Sequence, residues 1–160
     1  MKIVTVETEP SVQIHPQFEG RVDPNRLTEL ILQTLSEERI SEPLTVALLV
    51  TDDRNIRTLN LQYLGEDAPT DVLAFGMGES ADGFVSPPAM VRHLGDLVVS
   101  YPRAATQAAE YGQSVPDELD RLVVHGILHL LGYDDHGQQE RERMWSRQEA
   151  ILEAIHTATA

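Results

Sequence analysis

Leu44-Thr-Val-Ala-Leu-Leu-Val50 constrains the fold more than any other stretch, because seven residues with one polar member suit a buried strand. A strand of that kind needs cover, and the sequence on either side supplies it in helical form. Upstream, Asp23-Pro24 offers an N-cap followed by a proline in the first turn, and Leu27, Leu30, Ile31 and Leu35 recur at helical spacing. A helix is predicted over 24–39, with Pro43 ending the segment. Downstream, Thr51-Asp52-Asp53 opens a second helix along Ile56, Leu59 and Tyr63, and Gly65 stops it.

The remaining elements follow the same logic. Lys2 to Glu7 alternates apolar and charged residues and predicts a first strand. Asp71–Phe75 and His93–Ser100 predict two more. Between them, residues 76–92 are rich in Gly, Pro, Ser and acids with no period, which marks a long loop of the kind that is a functional lid or a mobile segment. Pro102 opens a helix closed by Gly112, and Ser114 with Asp117 three residues on opens the next. Leu119, Leu122, Val123 and Leu130 mark its buried face, and Gly132 is its natural stop. A last helix over 138–156 carries Met144, Gln148, Ile151, Leu152 and Ile155 on one stripe. The order β-α-β-α-β-β-α-α-α, without repeat or linker, predicts one α+β domain over residues 1–160, a mixed four-stranded sheet packed with about five helices.

Composition narrows the chemistry. The chain has no cysteine, so any metal must be held by imidazole, carboxylate or backbone oxygen. The net charge is −14 and the 12 basic residues are scattered, which argues against tight non-specific nucleic-acid binding by the free chain. DNA is not an expected partner. RNA presented by a partner, or met by a local basic groove, stays compatible with this charge. No run approaches the roughly 20 apolar residues of a membrane span, and the first residues lack the apolar core of a signal peptide, so a cytoplasmic protein is expected.

The chemistry concentrates in Val124-His-Gly-Ile-Leu-His-Leu-Leu-Gly-Tyr-Asp-Asp-His-Gly137. His125 and His129 are four apart near the end of a predicted helix, so both rings project from one face and can reach one metal. Gly132 turns the chain out of the helix, and His136 can fold back as third ligand. Three protein ligands leave a coordination position open, the arrangement of a catalytic zinc site. His125 is thus both ligand and catalytic candidate. Zinc proteases of the H-E-x-x-H type carry a glutamate after the first histidine, where this chain has Gly126. The metal must then do more of the work on its water, with Asp134, Asp135 or a substrate phosphate as proton acceptor. His15 and His93 read as surface or strand-edge residues, His156 as part of a fraying tail, and Trp145 as a packing residue. Asp71 and Asp96 read as hydrogen-bonding groups within the fold, with a contact to a metal histidine as the alternative.

His125-Gly-Ile-Leu-His-Leu-Leu-Gly-Tyr-Asp134 with a following histidine resembles the signature of the YbeY family of bacterial endoribonucleases. Pro69-Thr-Asp-Val-Leu-Ala-Phe75 is similar to that family's P-T-D-V-L-S-F stretch, and Leu94-Gly-Asp-Leu-Val-Val-Ser100 to its L-G-D-I-x-I-S strand. Thr51 to Asn60 is similar to its helix start, so the resemblance spans roughly residues 44–145. It implies one zinc per chain on the three histidines and a metal-activated water attacking an RNA phosphodiester. It also implies a role in ribosomal RNA maturation and ribosome quality control, with the small ribosomal subunit or its assembly factors as partners.

Two departures stand out. The family has five residues between its second and third histidines, whereas Leu130 to Asp135 makes six here. His136 is the expected third ligand, and Asp135 is the alternative as a carboxylate. The family also carries a Y-R-x-K-D stretch whose arginine is thought to meet the RNA phosphate, and here Tyr63-Leu-Gly-Glu-Asp67 has lost both positive charges. Arg54, Arg57, Arg92 or Arg103 are the candidates to replace that charge. The second reading is accordingly a ribosome-assembly factor with weak or lost nuclease activity and a mainly structural metal. A peptidase is disfavoured by Gly126.

Overall fold

The computed structural model describes residues 8–76 and 91–158. The elements run β1 (Glu9–Ile14), a 3-10 turn (Pro16–Phe18), α1 (Pro24–Glu37), β2 (Leu44–Thr51), α2 (Asp53–Leu64), β3 (Val72–Gly76), β4 (Arg92–Ser100), α3 (Tyr101–Tyr111), α4 (Val115–Leu130) and α5 (Gln138–Ala158). The four strands form one sheet in the order β1-β2-β4-β3, with β1, β2 and β4 parallel and β3 antiparallel to β4. This is the α+β architecture with a mixed four-stranded sheet and five α-helices that the periodicities predict.

The helix starts are built as their residue types require. Asp23, Asp52, Ser100 and Ser114 each accept a backbone N–H of the first helical turn. Gly65 and Gly112 close α2 and α3 in the left-handed conformation that glycine adopts without steric cost.

β2 is an interior strand, and its two faces differ. Leu44, Val46, Leu48 and Val50 are buried in the main core with residues of α1, α3, α4 and α5. The opposite face is covered by α2, where Ile56 packs with Leu73, Val98, Leu49, Leu59 and Phe75. One helix covers less of a sheet than four, so Thr45, Ala47 and Leu49 stay partly exposed.

Several expectations change. The strand predicted over residues 2–7 lies outside the described residues, and the first described strand is Glu9–Ile14. Pro10 concealed it, since proline argues against a central strand; β1 pairs only with β2, and an edge tolerates the missing N–H. Of the predicted loop 76–92, Gly76 belongs to β3 and Arg92 to β4, and 77–90 lie outside the described residues. Trp145 is 59% exposed on α5 rather than packed. His156 is not in a frayed tail: α5 runs through it, and its Nε2 lies 3.1 Å from the buried Asp120 carboxylate, which also accepts from Arg26 at 2.6 Å. Among the described residues no helix is long and apolar enough to cross a membrane.

Two glycines seat α4 on the sheet. A Cβ at Gly126 would come within 2.7 Å of the Leu97 side chain, so this helix position presses directly on β4. A Cβ at Gly95 would lie 2.5 Å from the Phe75 carbonyl and 2.7 Å from the Leu130 side chain. Gly95 follows a register shift in the β2–β4 pairing, and its bare backbone lets the last residue of α4 lie down on the sheet. The histidine-bearing end of α4 is thereby held at the Gly76–Gly95 end of the β3–β4 pair.

Candidate metal centre

With Gly126 and Leu130 turned to the sheet, His125 and His129 occupy the α4 face that remains half-exposed. Their Nε2 atoms are 3.2 Å apart, and the rings meet edge to face. Two nitrogens of one tetrahedral metal with bonds of about 2.0–2.1 Å stand about 3.3 Å apart, so the pair already has a chelating separation.

The His125 ring is oriented from behind. His125 Nδ1 lies 2.8 Å from Oε1 of Gln148, a side chain only 4% exposed. Because the amide oxygen accepts, the proton sits on Nδ1 and the Nε2 lone pair faces the site. Burial, and then the neighbouring His125, hold the His129 imidazole below its ordinary pKa, which favours the neutral, metal-binding form.

The chain leaves α4 by a Schellman turn. Tyr133 N donates to Leu128 O at 3.0 Å and Gly132 N to His129 O at 3.0 Å, with Gly132 at φ 103°. The turn is anchored outside the helix, where the Tyr133 hydroxyl donates to Glu38 at 3.2 Å and Glu38 accepts from Arg147 at 2.9 Å. Asp134 then caps the next bend, its Oδ1 accepting from His136 N at 2.9 Å.

This path brings Asp135, half-buried, back toward the histidine pair, with Oδ2 3.7 Å from His129 Nε2. His125, His129 and Asp135 form a group whose ligand atoms all lie within 4.8 Å of one another. His136, the expected third ligand, is not brought to the pair. Its side chain is 90% exposed, with Nε2 3.6 Å from Asp134 Oδ1, in a surface group with Asp134 that meets the histidine pair's group only through Asp135. The donor set of two imidazoles and a carboxylate fits a divalent metal of the zinc class.

The other candidates take structural places. Asp71 accepts from Val72 N at 2.8 Å and from Gln107 at 3.3 Å, a role within the fold. Asp96 pairs with His93 at 2.8 Å, and His93 also meets Thr45 at 2.6 Å. Arg57 is held by Asp67, Arg92 by Glu42 and Arg103 lies 3.7 Å from Asp53. Arg54 forms no ion pair among the described residues. Arg143 lies over the Tyr133 ring and lines a cavity of about 290 Å³ with Gly132, Asp134 and Glu140, at the turn that follows α4. Its position on an exposed stretch of α5 gave no sequence signal, and neither did the tie between Gln148 and His125.

Known proteins resemble this chain over most of its length. The family model described as Endoribonuclease YbeY matches residues 13–156. A relative named Endoribonuclease YbeY from Roseiflexus castenholzii is 45% identical over 145 residues, covering 90% of this chain and 91% of its own. One of the same name from Geobacillus thermodenitrificans is 42% identical over 132 residues, covering 79% and 82%. The solution structure of TM1509 from Thermotoga maritima has the same fold, with a TM-score of 0.61 at 24% identity over 91% of this chain and 87% of that one. The histidine pair on α4, the glycine that ends that helix and the two sheet motifs beneath it therefore stand in a chain that belongs to the YbeY family.

Proposed function

We propose that this protein is a metal-dependent endoribonuclease that cleaves ribosomal RNA during maturation and quality control, with one zinc per chain. The observation that carries the reading is the pair of Nε2 atoms 3.2 Å apart at the end of α4, in a chain whose relatives are named endoribonucleases. His125 and His129 hold the metal, and a third ligand comes from the Asp134–His136 bend. The whole chain acts as one metallohydrolase domain in the cytoplasm, and the small ribosomal subunit or its assembly factors present the RNA.

When bound, the metal supplies Lewis acidity toward a phosphodiester and lowers the pKa of water at its open position. The residues of the chain do the rest. Gln148 holds the proton on His125 Nδ1 so that Nε2 stays a donor to the metal. The Schellman turn and the Tyr133–Glu38–Arg147 anchor hold the acidic bend beside the pair. Arg143, which lines the cavity at that turn, is the cation assigned here to an RNA phosphate.

The test is cleavage of structured ribosomal RNA by zinc-loaded protein, compared with the His125→Ala, His129→Ala double variant. Cleavage lost in the double variant and on chelation is the expected result. Equal action of the two proteins would refute the reading. The assembly-factor alternative, motivated by Leu64 and Glu66, predicts zinc binding without cleavage in the same assay.

A further inference from the structure

We propose that Asp135, and not His136, is the third metal ligand, which makes the centre a two-histidine, one-carboxylate site. This rests on the metal reading above and departs from the three-histidine set that the family resemblance implies.

Three independent features of the bend point the same way. The Oδ2 atom of Asp135 is 3.7 Å from His129 Nε2, and its ligand atom is within reach of both histidines at once. The bend is pinned at both ends, by the Schellman turn at Gly132–Tyr133 and by the Asp134 cap on His136 N. With those bonds in place the backbone presents residue 135 inward and residue 136 outward. His136 accordingly stands 90% exposed beside Asp134.

The sequence register agrees. Asp135 is six residues after His129, with five between, the interval that the family resemblance implies for the third ligand. The additional aspartate thus shifts the histidine past the ligand position and leaves a carboxylate on it. An anionic oxygen in place of a neutral imidazole lowers the net charge of the metal centre by one, which reduces the metal's pull on its water and favours harder divalent ions relative to zinc.

The experiment is a zinc titration of metal-stripped full-length protein against a chromophoric competitor, with circular dichroism to verify folding. It uses wild type, Asp135→Asn, His136→Ala and Asp135→His combined with His136→Ala. Asp135→Asn is expected to weaken zinc by about a hundredfold, His136→Ala to change it less than about threefold, and the combined variant to bind at least as tightly as wild type. Cobalt substitution gives a second readout: its visible spectrum changes in Asp135→Asn and not in His136→Ala. A loss in His136→Ala equal to or greater than that in Asp135→Asn overturns the assignment while leaving the metal reading intact. Zinc binding by wild type that is unchanged in the His125→Ala, His129→Ala protein overturns the metal reading itself.

Discussion

The side chain of Gln148 on α5 holds His125 on α4 through a 2.8 Å hydrogen bond from Nδ1 to Oε1, at a point where Gln148 is buried and His125 opens toward solvent. The bond joins two helices and fixes one tautomer, so the nitrogen left to face the site is selected by a residue 23 positions away. Gln148→Leu keeps the volume and removes the acceptor. Zinc affinity should fall about 10–100-fold, the usual cost of losing a hydrogen bond behind a metal histidine. Gln148→Glu retains an acceptor and should restore most of it. Equal loss in both variants would show that packing, and not the hydrogen bond, is what Gln148 supplies.

Gly126 stands where zinc proteases carry a glutamate, and its Cβ direction runs into Leu97. A side chain there points into the core and away from the histidine face. Gly126→Glu is therefore expected to lower stability by more than about 3 kcal/mol through overpacking and a buried charge, and to create no peptidase activity. Chemical denaturation and a peptidase assay read the two halves. A stable variant with chelator-sensitive peptidase activity would contradict this placement.

Glu118 is buried at 2% exposure, and desolvation raises its carboxyl above the ordinary glutamate value even though Arg121 pulls the other way. Folding thus favours the protonated form. The associated stability is whole below the unfolded pKa and is lost as pH rises through the higher folded one. Glu118→Gln mimics the protonated form, so it should melt higher than wild type at pH 8, with the gap closing toward pH 4. Each kcal/mol corresponds to about 2–4 °C for a chain of this size. Melts that show Glu118→Gln less stable at pH 8 would mean that the Arg121 attraction outweighs burial.

Leu64 is 57% exposed at the last turn of α2, next to Tyr63, whose ring packs 5.2 Å from Phe75. Phe75 and Gly76 border Gly95, which in turn lies under Leu130, so the C-terminal ends of α2 and α4 share one end of the sheet. An arginine at Leu64 would reach that end and complement the α2 dipole. Leu64→Arg should raise single-stranded RNA affinity several-fold, with the slope of log K against log salt steepened by about 0.7, at unchanged or slightly higher stability. Binding measured at 50 and 200 mM salt decides it. No change in affinity or slope would show that charge at this position does not reach RNA.

The sequence by itself determined most of the elements and the convergence of the histidine pair. Apolar periodicity and the Asp, Ser and Gly punctuation suffice for all five helices and for β2, β3 and β4, because these signals act over a few residues. The spacing of His125 and His129 suffices for their convergence, since four residues make about one helical turn. What lies beyond one turn was decided by tertiary structure. Pro10 hid β1, whose strand character comes from lying beside β2 at an edge. Trp145 looked like a core residue until the packing of α5 turned it outward, and His156 acquired its partner from α4. Which side chain turns toward the histidine pair depends on the hydrogen bonds of the Tyr133–His136 bend, anchored by Glu38 just past α1 and by Arg147 of α5. A one-residue difference in a turn moves a side chain from facing the site to facing solvent. Spacing alone cannot settle that, because the direction of a turn residue is set by long-range anchors and not by its own neighbours in the chain.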